Sequence, residues 1–255
     1  MAVSSKRVDD GVVVVTVDFP PVNAIPVQGW FALADTMREA GADPSTRAVV
    51  LRAEGRGFCA GIDIKEVQQD SGYDALVGAN HGCYAAFSAV YHCPVPVVAA
   101  VHGFCLGGGV GVAGNADIVV ASEDATFAVP EVDRGALGAA THLSRLVPQH
   151  LMRALYYTGR SVTAAQVQQH GGVYEVVPRE CLDDAALDLA GDIAAKDGAV
   201  LRCAKQALNG IDPVDVDRSY RFEQGFTFEL NLTGVSDAAR QGFIDRAHLD
   251  RHSAG

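Results

Sequence analysis

Three consecutive glycines, Gly107, Gly108 and Gly109, and one proline-flanked acid, Glu131, are the residues of this chain whose types and spacing could do chemistry. They belong to the segment FCLGGGVGVAGNADIVVASEDATFAVPE, residues 104–131, in which an apolar run gives way to a helical pattern. Glycines carry no Cβ, so a ligand atom can approach the backbone, and N–H groups at a helix start have no intrahelical acceptor. Such a turn can serve as an oxyanion hole for developing negative charge. A second glycine turn, RGFCAGIDIKE at residues 56–66, also leads into a helix start. One N–H from Ala60 and one from Gly108 could then meet on a single oxygen. Each such donor is worth about 3 kcal/mol when it meets charge that appears only in the transition state.

The elements that must position these turns follow from apolar runs and their punctuation. Val12–Val17, Ala48–Leu51 and Val95–Val101 are short β-branched or apolar runs between turn signals, as expected of strands buried on both faces. Trp30, Phe31, Leu33, Ala34 and Met37 recur at helical spacing after Pro26, and Tyr84, Phe87, Val90 and Tyr91 do so before Pro94. Strand and helix alternate to about residue 120, which predicts an α/β core. Beyond residue 138 the signals are helical, over 143–157, 163–170, 182–195, 199–208 and 215–231. Residues 1–195 are therefore expected to form the core with the site, and 196–255 a helical C-terminal region. Phe222, Phe226, Phe228 and Leu230 read as packing or a subunit contact rather than a ligand site.

Composition narrows the partners. The formal net charge of −11 and the absence of a basic patch disfavour nucleic acid or an anionic membrane. An anionic small ligand would instead need local cations and helix N-termini. With 49% apolar and 20% charged residues, the chain reads as folded throughout. Six cysteines show neither CxxC nor metal-ligand spacing, so reduced, mostly buried thiols and no metal site are expected. The N-terminal MAVSSKRVDD lacks an apolar signal region and no apolar run is long enough to span a bilayer, so a cytoplasmic location is expected.

The segment GRGFCAGIDIKE together with AAVHGFCLGGGVGVAGNADIVVASEDATFAVPE resembles the enoyl-CoA hydratase (crotonase) family. The likeness runs from VTVDFPPVNAI through RAVVLRAEG to AAKDGAVLRCAKQALN, nearly the whole chain. It implies a crotonase-type spiral of ββα units with a helical C-terminal trimerisation region, and assembly as a trimer or dimer of trimers. It further implies that coenzyme A enters as part of the substrate, with no separate cofactor, and that Ala60 and Gly108 hold a thioester oxygen. Gly61, Ile62, Asp63 and Gly107 would line the CoA-binding turns. Lys65 and Lys205 could meet CoA phosphates or be ordinary surface lysines. Family hydratases use two glutamates, whereas this chain carries Glu131 and, at the other position, Gly111.

Asp133 and His142, in EVDRGALGAATHLSR, could supply the missing proton transfer; a cap or salt bridge with Arg134 or Arg145, and a structural histidine, are the competing readings. The string from LGGGVGVAGNADIV to RLVPQHLMRAL also resembles a narrower group, the ring-opening crotonases of bacterial steroid catabolism. That resemblance implies hydrolysis of a carbon–carbon bond in a bicyclic diketone attached to CoA, with water activated by Glu131 or Asp133 and Gly111 leaving room for a rigid bicycle. Two alternatives stay open, a hydratase or double-bond isomerase working with one glutamate, and a catalytically silent acyl-CoA-binding subunit.

Overall fold

Strand β2 (Val12–Val17) is apolar at nearly every position because both of its faces are covered. The structure, a computed structural model, describes residues 2–70 and 72–253, with side chains through residue 246. Five neighbours join β2 in one sheet: β1 (Val3–Asp9), β4 (Ala48–Ala53), β6 (Val97–Val101), β8 (Ile118–Ser122) and β11 (Glu175–Val177), ordered β1-β2-β4-β6-β8-β11. Only β1 runs antiparallel to its neighbour. The two-residue side-chain period sorts the sheet's faces. Val13, Val15, Val49, Leu51, Val97 and Ala99 enter the main core, whereas Val12, Val14, Val50, Val98 and Ala100 face a second layer. That layer is the helix α8 (Leu182–Ala194), which lays Leu182, Ala186, Ala190 and Ala194 on the sheet at four-residue spacing.

On the main-core side, α1 (Val27–Ala42) buries Val27, Trp30, Leu33, Ala34 and Met37 against α3 (Asp74–Tyr91). Each fully buried side chain of the Val, Leu or Met type contributes about 1.5–3 kcal/mol. Two small sheets carry the turns of interest. The pair β3 (Ala24–Ile25) and β5 (Gly61–Ile62) is parallel and leads into α2 (Ile64–Gln69). The trio β7 (Phe104–Leu106), β9 (Thr126–Ala128) and β10 (Val162–Thr163) flanks α4 (Gly108–Ala113).

The three long strands predicted from the sequence are present, the third starting at Val97. The helical stretch predicted over 143–157 is instead two helices, α5 (Ala140–Leu143) and α6 (Gln149–Thr158), because Pro148 cannot continue the first and caps the second. The almost entirely helical reading beyond residue 138 missed β10 and β11, the latter completing the main sheet beside β8. Between them runs α7 (Ala164–Gln169), which begins with a capping box on Thr163 and Gln166.

Three further helices follow: α9 (Gly198–Gly210), α10 (Val216–Leu232) and α11 (Val235–Ser253). The last two fold back over the centre of the molecule. The Glu223 carboxylate of α10 accepts N–H groups of Ala140 and Thr141 at 2.9 and 2.7 Å, capping α5. Thr227 closes a reciprocal pair with the Leu137 backbone, accepting from its N–H at 2.9 Å and donating to its carbonyl at 2.6 Å. The residues past 195 thus wall the same cavity as the core.

Candidate active site

A cavity of about 110 Å³ lies between α3, the glycine turns and the returning helices. Along α3 it is lined by Leu76, Ala79, Asn80, Cys83 and Phe87, one stripe at helical spacing. Glu131 is the one carboxylate on its wall among the described residues. The acid opens a 3-10 turn, Glu131–Arg134, directly after Pro130. Its Oε2 is buried without a hydrogen-bond partner. Burial lifts this carboxyl from its ordinary 4.5 to about 7, against the pull of the nearby Arg134 guanidinium. An acid in that range can both take and return a proton at neutral pH.

The two glycine turns do come together. A Cβ placed on Gly61 would stand 3.4 Å from the Gly108 nitrogen and 3.2 Å from the Leu106 carbonyl oxygen. Gly61, at φ +90°, and Gly107, at φ +52°, hold backbone conformations that side chains disfavour. A Cβ on Gly107 would moreover overlap Glu131 Oε1. Gly108 opens α4, so its N–H has no intrahelical acceptor.

The expectation for Ala60 is corrected. Its N–H donates to the Asn23 carbonyl at 3.1 Å, as those of Cys59, Gly61 and Asp63 donate to Phe104 O, Cys59 Sγ and Ile25 O. Amides alternate sides along a strand, so the Ile62 N–H turns away from β3. Ile62, with Gly108, is therefore the residue whose amide is free to face the cavity that both line. Residue types alone identify the turn but not which amide its neighbour consumes.

Other sequence-predicted residues fall outside this cavity. Asp133 is exposed and lays its carboxylate against Gly159 at the end of α6, away from the wall that Glu131 lines. His142 is fully buried behind the site, where its Nδ1 meets Asn115 Oδ1 at 3.1 Å and its ring packs edge-on to Phe87. Burial, aided by Arg145, pushes it down to about 3, so it stays neutral, and it does not line the cavity. The idea that Gly111 leaves open room is also corrected, because the Phe87 ring fills that space and a Cβ on Gly111 would overlap it. Phe87, which the sequence marks only as a core residue, shapes the cavity instead.

A groove of about 770 Å³ meets the cavity at Ala60, Ile62, Ile64 and Arg134. Asp63, Lys65 and Arg56 line it, Asp63 also capping α2 through the Lys65 N–H at 3.0 Å. Its apolar wall includes Phe19, Pro20 and Pro21 from the N-terminal motif. Lys205 is not part of this groove. It is buried and holds both Asp117 oxygens at 2.7 Å, which corrects its reading as a phosphate contact. Two cationic cavity residues have no counterpart in the sequence reading of the site: Arg134, at the end of the Glu131 turn, and Arg240, which reaches in from α11. The fold-back of α11 brings Arg240 to the wall and lays Phe243 on Arg134.

Among the described residues no cluster of His, Cys, Asp or Glu is arranged to hold a metal ion, and no helix is long and apolar enough to cross a membrane. Cys59, Cys83, Cys93 and Cys105 are buried free thiols, while Cys181 and Cys203 are exposed.

Known proteins are similar to this chain in sequence and fold. A protein of Rhodococcus jostii (strain RHA1) described as (7aS)-7a-methyl-1,5-dioxo-2,3,5,6,7,7a-hexahydro-1H-indene-carboxyl-CoA hydrolase is 65% identical over 253 residues, covering 99% of this chain and 98% of its own. One of the same description from Mycobacterium tuberculosis (strain ATCC 25618 / H37Rv) is 63% identical, covering 97% of this chain and 100% of its own. Among solved structures, an enoyl-CoA hydratase/isomerase from Xanthobacter autotrophicus Py2 superposes with a TM-score of 0.86 at 27% identity, over 98% of this chain and 94% of that one. The profile of the family described as enoyl-CoA hydratase/isomerase matches residues 7–229, and the chain, with its paired glycine turns and Glu131, belongs to that family.

Proposed function

We propose that this chain is an acyl-CoA ring hydrolase, which opens a carbon–carbon bond of a bicyclic diketone carried as a CoA thioester, a step of steroid-ring breakdown. The observation that carries this reading is the buried Glu131 Oε2 in one cavity with Ile62 and Gly108, the two residues whose amides their neighbours leave free, while Gly111 stands at the second glutamate position under the Phe87 ring. The near full-length relatives described as hydrolases of such a bicyclic thioester support it.

In this mechanism Glu131 takes a proton from water as the water oxygen bonds to a ring ketone carbon. The carbon–carbon bond then breaks, and its electron pair passes into the conjugated thioester as a dienolate. The N–H groups of Ile62 and Gly108 bind that oxygen, and the proton held by Glu131 returns to carbon. One water is consumed and one carboxylic acid is formed. The CoA moiety lies in the groove, where Lys65 and Arg56 meet its phosphates. CoA is part of the substrate.

Turnover of a bicyclic diketone CoA thioester in heavy-oxygen water, followed by mass spectrometry, tests the reading. Heavy oxygen in a new carboxylate with CoA still attached is expected. Unopened rings alongside loss of enoyl absorbance from linear thioesters would instead favour a one-glutamate hydratase, and binding without any product a silent subunit.

Assembly as a trimer or dimer of trimers is part of the same proposal. Helix α10 buries polar Gln224, Thr227 and Asn231 and leaves Phe222 and Phe226 outside, Phe222 at 70% exposure, the reverse of what a lone helix on a core would do. Light scattering that returned a monomer mass would refute this part.

A further inference from the structure

Hydrolytic ring opening develops negative charge in two places. Addition of water puts it on the ring ketone oxygen, and bond cleavage then moves it to the thioester oxygen. The Ile62 and Gly108 amides serve the second place and cannot also serve the first. The cavity wall offers one group suited to it.

Arg134 ends the 3-10 turn that Glu131 begins, and it lines the cavity. Its guanidinium carbon stands 4.4 Å above the Phe243 ring centroid, and its Nε is buried with no acceptor. Among the described residues it forms no ion pair within 4.0 Å, Asp133 having turned to Gly159. The other guanidinium on the wall is spent: Arg240 donates to Gln68, Asn231 and Asp237. Arg145, behind the site, pairs with Asp212 at 3.1 Å. Glu131 attracts this half-buried guanidinium from nearby but accepts no hydrogen bond from its Nε, so the buried Nε–H lacks an acceptor that an oxyanion on the ligand would supply.

We propose that Arg134 is a catalytic residue, whose guanidinium binds the oxyanion formed on the ring ketone and then the carboxylate that replaces it. The inference rests on the ring-opening reading above. As Glu131 takes the proton of the attacking water, the ketone π pair moves onto its oxygen, which accepts hydrogen bonds from Arg134. That pair then returns to remake the C=O bond while the ring bond breaks toward the thioester. The resulting acid ionises beside the same guanidinium, and Arg134 keeps all its protons throughout. A planar fork of donors fits both the tetrahedral oxyanion and the planar carboxylate.

Because Arg134 also borders the CoA groove, the test must separate two roles. Steady-state kinetics on the bicyclic diketone CoA thioester are compared for the wild-type enzyme, Arg134→Gln and Arg134→Lys, at the plateaus of their pH profiles so that any change in Glu131 titration drops out. Calorimetry measures free CoA and the ring-opened acid. Arg134→Gln is expected to lower plateau kcat about 100-fold with KM within about threefold, and to weaken the acid about 10-fold while CoA binding stands. Arg134→Lys, which keeps the charge, should recover part of both. Weakened CoA binding with unchanged kcat would make Arg134 a phosphate contact and overturn the proposal, as would a loss of kcat with acid binding intact. A wild-type enzyme that opens no ring would sink the function and this proposal together, whereas wild-type turnover that Arg134→Gln leaves untouched sinks this one alone.

Discussion

Glu131 Oε1 lies so close to Gly107 that a Cβ added there would overlap it, so the glycine turn and the acid pack as one unit. Gly107 is held there at φ +52°, and its own N–H donates to the Ala128 carbonyl at 2.9 Å, two residues before Pro130. Gly107→Ala should therefore displace the carboxyl and strain the turn, at a cost of at least about 1–2 kcal/mol from backbone conformation alone. Thermal unfolding should show the loss, and kcat should fall more than KM rises. A variant with wild-type kcat would disprove the coupling.

Much of this was legible in the chain, for physical reasons that also mark the limits. Runs such as Val12–Val17 admit only a strand covered on both faces, and the spacing of Trp30, Leu33, Ala34 and Met37 only a helix with one buried stripe. β11 escaped notice because Glu175–Val177 is short and begins with an exposed acid. The closure of the cavity escaped it too, since Gln224, Thr227 and Asn231 are polar residues on the buried face of α10 and reverse the usual pattern. Ile62 rather than Ala60 as the free amide depends on how β5 pairs with β3, and no property of the side chains reports that.

Phe87 and Gly111 form a second such unit, with a T-shaped contact from Phe87 to Trp30 at 5.6 Å behind it. Gly111→Glu should drive the Phe87 ring into the cavity, depress ring-opening turnover at least 10-fold and lower stability by about 1–3 kcal/mol, the usual cost of overpacking. Pairing it with Phe87→Ala should relieve the overlap and recover part of the stability. The double variant, assayed on a linear enoyl-CoA, reveals whether the added carboxylate confers hydration. If the single variant were as stable as the parent, the ring would have to move without cost, contrary to its packing.

Lys65 and Lys205 should behave differently although both are cations. Lys65 is exposed on the groove, so Lys65→Ala, like Arg56→Ala, should raise KM about 3- to 5-fold with kcat unchanged, and the difference should shrink in high salt. Lys205→Ala removes a buried ammonium but leaves Asp117 open to solvent and still accepting the Val97 N–H, and should cost about 1–3 kcal/mol in stability with KM unchanged. Urea melts and steady-state kinetics on the three variants would expose any exchange of these roles.

Glu131 and His142 should pull stability in opposite directions with pH. The folded carboxyl sits near 7 against an ordinary 4.5, so the folded state holds the proton more tightly than the unfolded one. Its contribution is complete below pH 4.5 and is lost as pH rises through 7, up to about 3 kcal/mol. His142 sits near 3 against 6.5, so its contribution is complete above 6.5 and is lost as pH falls toward 3. Between 4.5 and 6.5 the two largely offset each other. Glu131→Gln removes one of them, so the variant should gain stability over wild type above pH 7 and lose it more steeply on acidification, as read by denaturant midpoints across that range. The same substitution should lower kcat about 10²–10⁴-fold and abolish the rise of wild-type activity through pH 7, since only the ionised carboxylate can take a proton from water. An unchanged stability slope together with a wild-type pH–activity curve would mean that the buried carboxyl at 131 is neither raised nor the base.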